Sequence, residues 1–269
     1  MENNQGKNVL ITGASSGIGK ALAAEFAKNN YNIIAVAQDP QKLASLKSEM
    51  ESSYNVVVTT IEKDLAADNA AKELYQEVKE KGLAVDILVN DAGVGERGYF
   101  TDNSFGKYSE IIHLNIVALT QLTHLYLKEM IFKNDGRILQ LGSIAGFQPG
   151  PLMAVYHASK AYVVSLSEAL ATELNDMGSD VTITCLCPGP TDTNFFSGAH
   201  AENTKVYQNK EATMQSPEEV AAGAYNALMN GERVYIPGAM NKVMTFMRRV
   251  IPKSMQANMQ KQYYETAEE

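Results

Sequence analysis

An apolar run ending at Thr12 meets Gly13, Gly17 and Gly19 within the stretch Thr12-Gly13-Ala14-Ser15-Ser16-Gly17-Ile18-Gly19, and a helical segment from Lys20 to Lys28 follows at once. No other feature limits the fold so tightly. A strand that enters a helix through glycines presents backbone N–H groups at a helix N-terminus with no side chains in the way, which is a cradle for a phosphate. The expected contacts are Gly13, Ser15, Ser16, Gly17, Ile18 and Gly19. An ordinary strand-to-helix turn needs fewer glycines than these. The spacing Gly-x-x-x-Gly-x-Gly also differs from the commoner Gly-x-Gly-x-x-Gly.

Beyond this turn, short β-branched or apolar runs alternate with longer segments of helical periodicity. Strands are predicted at Asn8 to Thr12, Asn32 to Val36, Val56 to Ile61, Ile87 to Asn90, Arg137 to Leu141, Val181 to Cys187 and Val234 to Pro237. Helices are predicted at 17–29, 40–51, 68–81, 103–132, 156–177 and 216–230. The alternation implies an α/β fold: a single Rossmann-type, doubly wound parallel sheet of about seven strands with helices on both faces. With no Pro/Gly/Ser-rich linker, residues 1–239 read as one catalytic domain, including an irregular lid at about 191–215. Residues 240–269 read as a Met-rich helical extension.

Chemistry is suggested by Asn115, Ser143, Tyr156 and Lys160. A phenol with a pKa of about 10 is a poor acid–base group near neutrality, and a lysine one helical turn away favours its ionised form. A nearby hydroxyl can hold a carbonyl oxygen against the phenol. Tyr-x-x-x-Lys is weak alone: with 13 tyrosines and 18 lysines in 269 residues, about one such pair arises by chance. Tyr75 and Lys79 form a decoy of the same spacing. Context separates them, since Ser143 lies 13 residues before Tyr156 and the glycine turn opens the chain.

Over residues 7–238 these motifs resemble the classical short-chain dehydrogenase/reductase family. The resemblance implies an NAD(P)-dependent oxidoreductase acting on CH–OH and C=O groups. It implies Asn115, Ser143, Tyr156 and Lys160 as catalytic residues, with Tyr156 as general acid or base, Lys160 also holding the nicotinamide ribose, and Asn115 holding a water that links Lys160 to solvent. It makes Asp64, with Leu65, the adenine contact. Asn90-Asp91-Ala92-Gly93 answers to the family's Asn-Asn-Ala-Gly, so that Asn90, Ala92 and Gly93 face the cofactor and Asp91 is a departure. Pro188, Gly189, Thr191 and Thr193 belong to the segment closing over the nicotinamide.

By the same alignment, the position where an Asp would repel a 2′-phosphate is Ala37, and the usual Arg position is Gln38. Ser15, Ser16, Gln38 and Lys42 could donate to a phosphate, whereas Asp39 could take a ribose role, and the balance favours NADP(H) over NAD(H). For the substrate, Val94, Ile144, Phe147, Met153 and Phe195 form an apolar wall suited to a ketone or secondary alcohol, 3-oxoacyl-like or steroid-like. The competing reading is a cofactor-binding regulatory protein with little turnover.

A formal net charge of −8 with no basic stripe argues against nucleic-acid binding. The polar N-terminus lacks a signal-peptide pattern, and Cys185 and Cys187 read as buried reduced thiols, so the expected location is cytoplasmic. His113, His124 and His200 have no metal-ligand spacing, and His157 reads as a lining or surface residue. The tail from Met240 to Met259, with Lys242, Arg248, Arg249 and Lys253, reads as a helix packed on the domain or a second subunit, a membrane-surface helix being the alternative. Pro252 would interrupt it. The small and apolar residues of the two longest helices suggest a homodimer or homotetramer.

Overall fold

The computed structural model describes residues 4–208, 214–248 and 251–266. Residues 209–213 of the expected lid and Arg249 of the tail lie outside the described residues. Among the described residues, seven parallel strands form one sheet: β1 (Asn8–Thr12), β2 (Asn32–Ala37), β3 (Val58–Glu62), β4 (Ile87–Asn90), β5 (Arg137–Leu141), β6 (Thr182–Leu186) and β7 (Val234–Tyr235). Their order is β3-β2-β1-β4-β5-β6-β7. The chain winds outward from β1 to β3, returns to β4 beside β1, and then winds the other way. This reversal opens a crevice at the carboxyl ends of β1 and β4, where such sheets bind ligands.

The central strands bury both faces. Val9 and Ile11 of β1 pack on one side and Leu10 on the other, as the period of two requires. The first layer holds α1 (Gly17–Lys28), α2 (Pro40–Ser53) and the helix Pro217–Met229, with Phe26, Leu46 and Leu228 fully buried. The second holds α3 (Ala70–Glu80), α4 (Phe105–Ile112), α5 (Leu119–Lys133) and α6 (Ala154–Asp176), with Leu74, Leu122 and Tyr126 in its core.

The helix expected over 103–132 is continuous in direction but changes pitch. His113–Ala118 forms a π-helical turn between α4 and α5, with Asn115 inside it. Composition does not reveal such a turn, within which the Asn115 side chain reaches across to the loop after β4. Pro252 does interrupt the tail, which forms two helices, Ala239–Met247 and Lys253–Tyr264.

Beneath the crevice lies a buried polar triangle. The Asn90 amide donates to Thr123 Oγ1 (3.1 Å) and to Gln140 Oε1 (3.0 Å), while Gln140 Nε2 donates to the same threonine at 2.7 Å. Thr123 in turn donates to the Leu119 carbonyl at 2.7 Å. β4, β5 and α5 are thereby held in one register. Thr123→Val keeps the shape and removes the shared acceptor, leaving Gln140 Nε2 unpaired in the core. Urea denaturation is expected to show a loss of about 2 kcal/mol; unchanged stability would mean that the triangle holds nothing.

Candidate active site

The glycine turn is built by close approach. Gly13 and Gly17 have φ of +70° and +53°, in the left-handed region that favours glycine. A Cβ on Gly13 would lie 3.0 Å from the backbone of Ala92, and one on Gly19 would collide with the Gly13 carbonyl and the Asp91 carboxylate. The ends of β1 and β4 and the first turn of α1 are therefore pressed together. Gly13, Ser16, Gly17 and Ile18 line a cavity of about 690 Å³ that runs on past Ala92, Gly93 and Val94 to Ser143 and Tyr156. A bare backbone cradle at a helix start, opening into that cavity, fits a nucleotide pyrophosphate.

Asp91 stands at the same place. Its backbone N–H donates to Thr12 Oγ1 at 3.1 Å, and its buried carboxylate accepts from the Gly19 N–H. Burial raises this carboxyl to about 7, against the opposing pull of the Lys160 ammonium and the Gly19 N–H. One carboxylate oxygen, Oδ1, has no partner.

Ser143 follows β5 in extended backbone, and its Oγ accepts from the Ala145 N–H at 3.1 Å. It donates to the Pro188 carbonyl at 3.5 Å and favours the ionised form of the nearby Tyr156 phenol. Tyr156 and Lys160 lie one turn apart on α6, both buried. Lys160 Nζ donates to the Leu141 carbonyl at 2.8 Å and lies 5.8 Å from the centroid of the Tyr156 ring. Burial draws Lys160 down to about 8, with Asp91 as the largest opposing influence. The phenol does not follow the sequence argument. Burial pushes Tyr156 above its ordinary range, Tyr264 adds to the shift, and the Ser143 hydroxyl opposes it without prevailing. A phenol in this state is a proton donor.

Asn115 sits behind the cavity wall, 1% exposed. Its amide is fully engaged: Oδ1 accepts from the Val94 N–H, and Nδ2 donates to the Val94 carbonyl and to Ser159 Oγ, each at 3.0 Å. It ties the loop after β4 to α6. Pro188, Gly189, Thr191 and Thr193 line the cavity opposite, and Phe195 and Ile144 close it. Asn90 is not at the surface of the cavity, since its amide is used in the polar triangle. Phe147 packs below the wall with Val163 and Cys187, and Met153 is buried beside Phe196. Gln38 Nε2 donates to Asp64 Oδ1 at 2.6 Å, joining the ends of β2 and β3 near Leu65. Asp39 caps α2 by accepting from the Gln41 and Lys42 N–H groups, each at 3.0 Å.

The decoy pair has a different use. Tyr75 donates to Glu129 Oε1, and Lys79 meets Glu129 Oε2 at 2.6 Å, which links α3 to α5 away from the crevice.

Sequence reasoning missed the contribution of the tail. Met240, Met244, Arg248, Gln260, Tyr263 and Tyr264 all line the same cavity as Tyr156. The anchor is His157, which is neither lining nor surface but 2% exposed. Its Nδ1 lies 3.0 Å from the Gln148 carbonyl and its Nε2 lies 3.2 Å from the Tyr264 hydroxyl. Gly150 leaves room for that ring, since a Cβ there would overlap it. Arg97 Nε donates to the Tyr264 carbonyl at 2.6 Å. A histidine next to the expected catalytic tyrosine, followed by a distant Tyr-Tyr, gave no signal that the two would meet.

A sequence model described as short chain dehydrogenase matches residues 7–204. The chain belongs to this family. The dehydrogenase is 32% identical to mouse 17-beta-hydroxysteroid dehydrogenase type 3 over 226 residues, covering 82% of this chain and 71% of that one. It is 34% identical over 178 residues to the very-long-chain 3-oxoacyl-CoA reductase of Coprinopsis cinerea, covering 65% of this chain and only 52% of the fungal protein. Among solved structures, the short-chain dehydrogenase of Sphingobium yanoikuyae in complex with NADPH superposes with a TM-score of 0.79 at 27% identity, covering 94% of this chain and 99% of that one. As a member of the family, the protein is an NAD(P)-dependent oxidoreductase of CH–OH and C=O groups. No helix among the described residues is long and apolar enough to cross a membrane.

His157 makes the tail sensitive to acid. Burial holds it down at about 4, below the ordinary value near 6.5, so the unfolded chain takes up the proton first. Stability is therefore present above pH 6.5 and is lost as pH falls toward 4. Between pH 7 and pH 5 the wild type is expected to lose about 2 kcal/mol through this group, and His157→Gln should lack that increment. Parallel pH profiles of the two proteins in denaturant titrations would contradict the assignment.

Proposed function

We propose that this dehydrogenase interconverts an apolar ketone and its secondary alcohol, with Tyr156 as general acid in reduction and general base in oxidation. The observation that carries this reading is the phenol itself. It is buried, held protonated, close to Ser143, one turn from a lysine, and placed on the wall of a cavity lined in large part by apolar side chains.

A nicotinamide held here would supply hydride to the carbonyl carbon, or accept it from the alcohol. The residues of the chain handle position and proton. Ser143 Oγ and the Tyr156 hydroxyl together hold the carbonyl oxygen, and the charge that builds there is met by the phenolic proton. Lys160, charged and anchored on Leu141, stabilises the phenolate left behind. Asn115 serves this site by fixing Val94 and Ser159; with its amide engaged, a water path toward Lys160 would have to use the carbonyls of its π turn. Ser16, Gly17 and Ile18 hold the pyrophosphate, and Thr191 and Thr193 close on the nicotinamide.

NADP(H) is the favoured cofactor. Ala37 offers no carboxylate at the end of β2, and one oxygen of Asp39 is engaged by its helix cap. The Sphingobium relative holds NADPH. Steroid-like and 3-oxoacyl-like ketones both suit the apolar wall, in keeping with the names of the relatives. The proposal extends to a cytosolic setting for the free thiols Cys185 and Cys187. It also extends to a dimer or tetramer that covers the exposed Phe105, Val117 and Tyr162 of the α4 to α6 layer.

Tyr156→Phe is expected to lower ketone reduction by about three orders of magnitude, with cofactor affinity by fluorescence titration within about threefold of wild type; near-normal turnover would end the mechanism. In steady-state assays kcat/KM should favour NADPH by about tenfold or more, and a comparable preference for NADH would reverse the cofactor assignment.

A further inference from the structure

In the substrate half of the cavity one cation stands among apolar side chains and neutral polar groups such as Gln148 and Gln260. Arg248, at the end of the helix Ala239–Met247, lines the cavity together with Met244, Tyr263 and Tyr264. It is half-buried, and burial draws it below the ordinary arginine range. Among the described residues a single guanidinium nitrogen, Nη1, is engaged, donating to the Ile144 carbonyl at 2.8 Å, one residue beyond Ser143. Among the described residues no carboxylate pairs with it, and the groups beside it in the cavity include the neutral phenols of Tyr263 and Tyr264. The carboxyl that does reach the cavity wall, Asp91, belongs to the opposite, glycine-turn end.

A cation withdrawn from water without an anion is unfavourable, and a strut between the tail and Ile144 needs only one of the five guanidinium donors. A neutral amide would serve as well. The remaining donors are suited to an anion that arrives with the ligand. A guanidinium matches a planar carboxylate, which it can grip with two parallel hydrogen bonds.

We propose that Arg248 is a specificity-determining residue that binds a carboxylate on the substrate, so that the preferred ligand is an oxo or hydroxy acid: an apolar body with the reacting carbon at Tyr156 and the acid group at the tail. This rests on the reading of the cavity as a carbonyl-reducing site. It also gives the tail a role that neither membrane docking nor subunit packing requires.

The test uses the full-length enzyme with NADPH and matched pairs of ketones, each as the free acid and as its methyl ester: oxo fatty acids with the ketone at graded distances from the carboxylate, and a keto-steroid with a side-chain acid. For at least one pair the acid should show a KM at least about tenfold below that of its ester at similar kcat. Arg248→Met should raise that KM about tenfold or more and leave the ester within about threefold, while Arg248→Lys should recover part of the loss. Thermal melting of each variant checks that the tail stays folded. Equal KM values for acid and ester in every pair would overturn the proposal. So would an equal loss for both in Arg248→Met, or a loss confined to kcat or to the KM for NADPH. If no ketone in the panel is turned over, the carbonyl-reducing reading falls by itself. Calorimetric binding of the same acids and esters to wild type and Arg248→Met then decides the role of Arg248, and the absence of an arginine-dependent preference for the acids would overturn it.

Discussion

The burial of the Lys160 ammonium is the constraint from which the rest of the site follows. An ammonium 4% exposed has lost its water, and such a group is tolerated only where the protein supplies acceptors and opposite charge. Here the Leu141 carbonyl at the end of β5 accepts from it at 2.8 Å, and Asp91 at the end of β4 supplies the negative charge. Asp91 is itself held by the first turn of α1 through Gly19. The buried charge is thus bonded to the end of β5 and favoured by a carboxylate between β4 and the glycine turn, the elements that carry the proposed proton donor and cofactor cradle. The departure of Asp91 from the family's usual asparagine has a physical use in this arrangement: it keeps a neighbouring lysine charged in an apolar setting.

A second set of contacts completes the enclosure from the far end of the chain. His157, adjacent to Tyr156 on α6, is buried and neutral, and it holds Tyr264 in place. Tyr156, His157 and Tyr264 stack edge to face in sequence, so that the proposed proton donor and the tail share one packed unit. Local order in the tail is thereby linked to the shape of the pocket around the phenol.

Much of the fold was legible because its signals are local. The glycine turn, the period-two strands and the crossover helices each follow from short stretches, and the doubly wound sheet follows from their alternation. Strand ends moved by a residue or two where pairing rather than hydropathy decides the limit, as at β3, which starts at Val58 rather than Val56. Asn115, Ser143, Tyr156 and Lys160 were legible as residues but not in all their physics. Proximity of Lys160 to Tyr156 suggested a lowered phenol pKa, whereas burial, which sequence does not display, reverses the sign. The π turn at Asn115, the withdrawal of Asn90 into the polar triangle, and the return of the tail to the cavity were hidden for a common reason. Each depends on partners dozens to more than a hundred residues away.

The account turns on the coupling of Asp91 to Lys160, and the pH profile of carbonyl reduction measures it most directly. In the proposed mechanism reduction needs the ammonium, so the rate should fall as pH rises through the value of about 8 to which burial draws Lys160. Because the Asp91 carboxylate raises Lys160, its replacement in Asp91→Asn should move that alkaline midpoint downward by about half a pH unit or more. A midpoint that stays in place, or moves upward, would show that the two buried charges do not act on one another and would contradict the account.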